Sequence, residues 1–145
     1  AGCQLVASCD LAIASHEARF AVSGINLGLF CATPAVALSR NIHPKHAMEM
    51  LLTGEFISPL KAQNLGLINR VVPAEELTSA TRELANTISQ KARAAVRTGK
   101  AMFYPQLDME LEKAYEYASE HMVNNLKDAD TQSGLNAFIN KKSRN

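Results

Sequence analysis

The stretch MLLTGEFISPLKAQNLGLINRVVP (residues 50–73) is the most specific pattern in the chain, because it sets four structural features in a fixed order. Its apolar start predicts the last turns of a helix that ends at Gly54. Ser58, which a proline follows, is a candidate N-cap for a short second helix, and Gly66 marks the C-terminal end of that helix. The β-branched residues within 67–72 predict a short strand. Helix, glycine stop, capped helix and strand together indicate a mixed α/β segment.

Further elements are predicted on both sides of this stretch. Upstream, they are a short buried helix at residues 2–9, strands at residues 11–14 and 19–22, an irregular loop marked by Gly24 and Gly28, a helix with Pro34 in its first turn, and a helix that begins at Pro44. Downstream, they are a helix that starts at Pro73, a helix with an apolar stripe between positions 107 and 126, and a last helix after Gly134. The helices either form a bundle on their own or pack on a sheet that lies upstream.

Composition limits the class of protein. The chain has 145 residues, of which 47% are hydrophobic and 20% charged, and this indicates a globular protein. Its formal net charge of +1 is too small to indicate a nucleic-acid partner, and no apolar run reaches the ~18–20 residues of a membrane span. The cysteines lie in apolar segments, so we expect buried thiols in a reducing compartment rather than disulfides or a zinc site. They are Cys3, Cys9 and Cys31.

Four segments carry a resemblance to a known family: AGCQLVASCDLAIAS (1–15), ARFAVSGINLGLF (18–30), the stretch at 50–73, and GLNAFINKK (134–142). Together they resemble the C-terminal part of the enoyl-CoA hydratase/isomerase (crotonase) superfamily. The resemblance implies an α/β fold, the crotonase-like ββα spiral. It also implies that this fold is truncated here to its helix-rich C-terminal half, with a few short strands and the C-terminal trimerisation helices.

The resemblance divides the chain into two parts. Residues 1–72 correspond to the C-terminal part of the spiral core, and residues 73–145 correspond to the C-terminal helical region. On this interpretation the first half of the family's domain lies upstream of Ala1, and any mitochondrial targeting segment would lie there too. The resemblance itself implies a mitochondrial protein of fatty-acid metabolism.

The ligand that the resemblance implies is a coenzyme A thioester, with no other cofactor and no metal. In the family, a backbone N–H at a helix N-terminus stabilises the developing enolate oxygen, and Ala1 holds the position of that donor. Gly2 beside it allows the thioester to approach the backbone closely. A tight helix–helix contact is the alternative for these residues. Lys141 and Lys142 are expected to reach CoA phosphates, often those of a neighbouring subunit, and a solvated basic tail is the alternative.

Two positions speak against the family's hydration reaction. The family's hydratases use two glutamates as acid and base, and the resemblance places Gln4 and Gly24 at those positions. An amide does not titrate near neutral pH, and glycine has no side chain. No catalytic residue is therefore intact. Gln4 can still bind a water or a polar group of the substrate, or it is a buried amide with its hydrogen bonds satisfied.

The sequence is compatible with three functions, and it does not decide whether the chain catalyses a reaction. The first is an acyl-CoA-binding protein of the crotonase fold with weak or absent hydratase activity. The second is an active crotonase of altered reaction, such as a thioester hydrolase or isomerase. The third is a non-enzymatic oligomerisation module. The expected partners are an acyl-CoA and further copies of the chain in a trimer or hexamer, without nucleic acid or a membrane span.

Overall fold

The structure, a computed structural model, describes the backbone of residues 1–142 and the side chains of residues 1–140. This part of the chain contains eight α-helices, two short strands and two turns of 3₁₀ helix. In chain order the elements are α1 (Gly2–Ser8), β1 (Ile13–Ser15), a 3₁₀ helix (Ser23–Leu27), α2 (Ala32–Ser39), α3 (Pro44–Thr53), α4 (Pro59–Asn64), β2 (Arg70–Val72), a 3₁₀ helix (Ala74–Glu76), α5 (Leu77–Ser89), α6 (Arg93–Leu107), α7 (Leu111–Leu126) and α8 (Ala129–Lys142). Two compact units are present, Ala1–Glu83 and a second that begins at Leu84.

The stretch at residues 50–73 folds as its local chemistry predicts. α3 ends at Gly54, whose φ of 63° is left-handed and suits a residue without a Cβ. The Ser58 hydroxyl accepts a hydrogen bond from the Lys61 N–H at 3.2 Å and so caps α4. The strand that follows is shorter than predicted, because it begins at Arg70, and the preceding Leu67–Ile68 pair is buried in the core instead.

The two strands form a small parallel sheet. Ile13 pairs with Arg70, and the register continues to the pair Ser15 and Val72. Asn69 extends this contact by one residue, because its N–H donates to the Ala12 carbonyl at 2.8 Å and its side-chain oxygen accepts from the Ala12 N–H at 2.8 Å. β1 is thereby fixed against the segment that leads out of α4.

The predicted strand at residues 19–22 is wrong. Phe20 makes an isolated antiparallel bridge with Ile57, with N–O distances of 3.2 and 2.9 Å, and no ladder extends from it. The pairing does not extend beyond Ile57, because the residues that follow it, Ser58 and Pro59, already begin α4. A proline also has no N–H to donate to a neighbouring strand. The alternating apolar pattern at this place reflects the burial of Phe20 and Val22 in the core.

The core of the first unit lies around α2, α3 and α4. Leu38 of α2 and Met50 of α3 are its largest fully buried side chains. The predicted helix at the start of the chain is present as α1, but the prediction that it is buried is wrong, because α1 buries only Ala7 and leaves Leu5 68% exposed. The prediction of buried thiols also fails at Cys9, which is exposed, whereas Cys3 and Cys31 are half-buried.

In the second unit, α6, α7 and α8 pack against one another. Two predictions fail here. Leu107 ends α6, a helix that the sequence pattern did not predict, and so does not belong to the stripe of α7. Gly134 lies inside α8 rather than before it, because the Asp128 carboxylate accepts a hydrogen bond from the Asp130 N–H at 3.0 Å and starts the helix at Ala129.

Candidate functional site

The first candidate element is the N-terminus of α1. Ala1 occupies the N-cap position, its carbonyl accepts a hydrogen bond from the Leu5 N–H at 3.0 Å, and no side chain caps the helix there. The first N–H groups of a helix have no acceptor within the helix. Ala1 and Gly2 are both exposed, and a Cβ atom added to Gly2 would meet nothing within 4 Å. The backbone at this helix start is therefore open to close approach by another molecule.

Gln4 lies one turn further along α1 and is half-buried. Its backbone carbonyl accepts a hydrogen bond from the Ser8 hydroxyl at 2.9 Å. The C-terminal end of the helix is fixed by Asn41, whose side-chain amide donates to the Ala7 carbonyl at 2.7 Å and to the Ala37 carbonyl at 2.8 Å. Asn41 therefore links α1 to α2, and nothing in the sequence pattern around it indicates that role.

The second candidate element is the Gly24 loop, which we define as residues 23–31. The Gly24 N–H donates a hydrogen bond to the Cys31 Sγ at 3.2 Å, and the Gly24 carbonyl accepts one from the Leu29 N–H at 3.0 Å. A Cβ atom on Gly24 would lie 2.6 Å from the Cys31 Sγ and 2.7 Å from the Leu29 carbonyl oxygen. This position thus has no side chain and no space for one.

The structure places the two predicted positions on segments that each contact α2. α1, which carries Gln4, packs against α2. Gly24 meets α2 at its start, because Cys31 is the N-cap residue of that helix. The side chains of Lys141 and Lys142 lie outside the described residues, so their expected contact with CoA stays a prediction.

Cys3, in the first turn of α1, is a titratable residue with a shifted pKa. Burial raises the pKa of the Cys3 thiol above its usual value. Cys3 is therefore held in its protonated form at neutral pH, in which a thiol is a poor nucleophile. Within residues 1–140, no cluster of three or more His, Cys, Asp or Glu side chains is arranged to hold a metal ion. None of the described helices has the length and apolar character of a membrane span.

Comparison with curated proteins identifies relatives along the whole chain. The family model for enoyl-CoA hydratase/isomerase matches residues 1–145. The chain is 54% identical over 142 residues to enoyl-CoA hydratase domain-containing protein 3, mitochondrial, of Mus musculus, and 50% identical over 142 residues to the Homo sapiens protein of that name. Both alignments cover 98% of this chain and 47% of the relative, so the chain spans about half the length of the curated relatives it matches.

The sequence around Gln4, together with GLFCATPAVAL (residues 28–38), predicts a likeness to this relative, and the identities confirm it. The Mus musculus, Rattus norvegicus and Homo sapiens relatives are all named as mitochondrial proteins. This resemblance confirms the mitochondrial location predicted for this chain.

Solved structures of related proteins confirm the predicted fold. An enoyl-CoA hydratase of Mycobacterium smegmatis matches with a TM-score of 0.94 and 53% identity, covering 97% of this chain and 55% of that chain. The structure of human enoyl-coenzyme A hydratase domain-containing protein 3 matches with a TM-score of 0.93 and 50% identity, covering 97% of this chain and 55% of that chain. The helix-rich α/β arrangement with its small parallel sheet is therefore that of the crotonase fold. The chain belongs to the enoyl-CoA hydratase/isomerase family.

Proposed function

We propose that this protein binds an acyl-CoA in mitochondrial fatty-acid metabolism and catalyses enoyl-CoA hydration weakly or not at all. The observation that carries this proposal is the chemistry of the two positions at which the family's hydratases have glutamates. Gln4 is a half-buried amide, and Gly24 has its Cβ position filled by a sulfur and a carbonyl oxygen. Neither position can give or take a proton near neutral pH.

The expected loss of rate follows from the size of acid–base catalysis. A positioned general acid or base contributes about 10²- to 10⁴-fold to a rate. Losses at residues that act together do not multiply in general. We therefore expect the absence of both groups to lower the hydration rate by at least about 10²-fold, without a firm upper limit. Binding does not depend on these carboxylates, because the thioester oxygen would be bound by backbone N–H groups at the open start of α1, at Ala1 and Gly2.

The CoA phosphates provide a second point of attachment in this proposal. Lys141 and Lys142 stand at the C-terminal end of α8 and carry the charge that phosphate recognition needs. An ammonium group on a long flexible side chain binds a phosphate as a point charge. Free CoA should therefore compete with an acyl-CoA for the protein, since both carry the same phosphates.

A second proposal, self-association, is favoured by the apolar surface of the second unit. None of the side chains described from residue 84 to residue 140 is fully buried. Large apolar side chains are exposed on three of its helices, including Phe103, Leu111, Tyr115, Met122 and Phe138. Apolar surface of this extent is characteristic of protein–protein interfaces. We infer a homo-oligomer, a trimer or a hexamer, and a protein with only this assembly role is the alternative function.

Binding and hydration should be measured on the same preparation of the whole protein that the gene encodes. Crotonyl-CoA binding is measured by titration calorimetry, with free CoA as competitor, and hydration by loss of the enoyl absorbance. We expect saturable binding with turnover at least about 100-fold below that of a family hydratase with both glutamates. The variant Gln4→Glu restores one carboxylate, and we expect it to remain far below that enzyme because position 24 still has none.

The outcomes separate the functions. Absence of crotonyl-CoA binding, in protein that is folded and oligomeric by analytical ultracentrifugation, would reject the acyl-CoA proposal and support the assembly role. A monomeric, monodisperse protein at all concentrations would instead reject self-association.

A further inference from the structure

Two groups of the Gly24 loop, the Cys31 thiol and the Leu29 carbonyl, fill the space that a side chain at position 24 would need. The 2.6 Å and 2.7 Å separations from a Cβ at position 24 to the Cys31 Sγ and the Leu29 carbonyl oxygen are both below 3.0 Å, a limit that real Cβ contacts essentially never cross. The carbonyl belongs to the backbone, so it cannot turn away as a flexible side chain does. A residue larger than glycine at this position would have to displace the loop itself.

The same thiol also provides the hydrogen bond that holds the loop. The half-buried Gly24 N–H donates to the Cys31 Sγ at 3.2 Å across seven residues of chain. Cys31 lies at the N-cap of α2, so this bond ties the loop to a helix end. An N–H left without an acceptor in such a place costs free energy, because it has lost its water. One short side chain therefore satisfies a donor and fills the space next to it.

We propose that Cys31 is a positioning residue, which fixes the Gly24 loop through this hydrogen bond and keeps position 24 without a side chain. A carboxylate then cannot be placed at position 24 by a single substitution, because the loop must be rebuilt with it. The significance of position 24 rests on the proposed function. The test uses no CoA ester, however, so failure of this inference and failure of the ligand proposal are separate results.

Amide hydrogen exchange of the Gly24 N–H, measured by NMR in the whole protein, tests the hydrogen bond. Cys31→Ala removes the acceptor and should accelerate exchange at Gly24 about tenfold, whereas Cys31→Ser keeps an acceptor and should stay within about threefold of the original rate. Cys9→Ala, at an exposed cysteine, is the matched control and should change nothing at Gly24. Equal exchange in the Ala and Ser variants would overturn the proposal, because a thiol that only fills space would give that result.

Thermal unfolding tests the closed space independently. Gly24→Ala should lower the melting temperature, and it should lower it less in a Cys31→Ala background than in the original protein, because that background lacks one of the two clashes. Gly99→Ala is the control, since a Cβ there meets nothing within 4 Å and alanine is the better helix former. A Gly24→Ala protein that fails to fold while Gly99→Ala folds also supports the proposal. Equal melting temperatures for Gly24→Ala and Gly99→Ala would contradict it.

Discussion

Gly54→Ala is a sharp test of how α3 meets the Gly24 loop. Gly54 ends α3 with a φ of 63°, and a Cβ there would lie 2.8 Å from the Ile25 Cγ2 and 3.0 Å from both side-chain polar atoms of Asn26. The Asn26 amide also donates a hydrogen bond to the Gly54 carbonyl at 3.5 Å. Two effects would therefore destabilise an alanine at position 54: the left-handed backbone conformation and the lack of space for its Cβ.

The two costs can be estimated separately. A left-handed conformation costs a non-glycine residue roughly 1–2 kcal/mol. Overpacking by one methyl group costs typically about 1–3 kcal/mol. We therefore expect Gly54→Ala to lower the free energy of unfolding by roughly 2–5 kcal/mol, a large share of the roughly 5–15 kcal/mol that stabilises an ordinary domain.

Urea unfolding followed by far-UV circular dichroism measures this loss, and Gly28→Ala is its control. Gly28 has a φ of 78°, but a Cβ there meets nothing within 4 Å, so its variant should lose only the backbone part, about 1–2 kcal/mol. The difference between the two variants isolates the contact with Ile25 and Asn26. If they were equally destabilised, within about 0.5 kcal/mol, the close packing of α3 on the loop would be refuted.

Three further predictions concern the first unit. Leu38→Ala, at a fully buried side chain, should lower the free energy of unfolding in urea by about 2–5 kcal/mol. Val36→Ala is the control, because Val36 is 54% exposed on the same helix, and an equal or larger loss in this control would contradict the assigned core. Ser58→Ala should cost about 0.5–2 kcal/mol and Ser58→Asp much less, because aspartate keeps a cap; equal losses would show that the hydroxyl does not cap α4. Burial raises the pKa of the Cys3 thiol above its usual value, so the folded state holds that proton more tightly than the unfolded state does. The resulting stability is present below the usual thiol pKa and is lost as pH rises through the raised pKa. Cys3→Ala should abolish this alkaline loss of melting temperature, and Cys9→Ala, at an exposed cysteine, is the control.

Features determined by local chemistry were predictable from the sequence. The stop at Gly54 and the cap at Ser58 depend on a few neighbouring residues, and both are where the sequence places them. Tertiary context decided the failures. Phe20 has the pattern of a strand residue but pairs only with Ile57, because the partner segment turns into a helix at the next residue. Gly134 resembles a helix break, yet α8 begins five residues earlier, at Ala129, where the Asp128 carboxylate accepts a hydrogen bond from the Asp130 N–H.

The candidate site could be predicted only as far as the family resemblance reaches. Gln4 and Gly24 are predictions that rest on their positions in motifs that resemble those of the family. Cys31 and Asn41 were missed, because each acts through a backbone group that is seven residues or more away, and only the folded path of the chain reveals the partner. A cysteine in an apolar segment looks the same in a sequence whether it merely fills space or accepts an N–H.

The proposed function is tested most directly by the rate at which the whole protein hydrates crotonyl-CoA once binding of that ester has been demonstrated. Gln4 and Gly24 predict a rate at least about 100-fold below that of a family hydratase with both glutamates, with binding intact. Turnover within about tenfold of that hydratase would contradict the proposal, since it would require an acid and a base that these two positions do not supply.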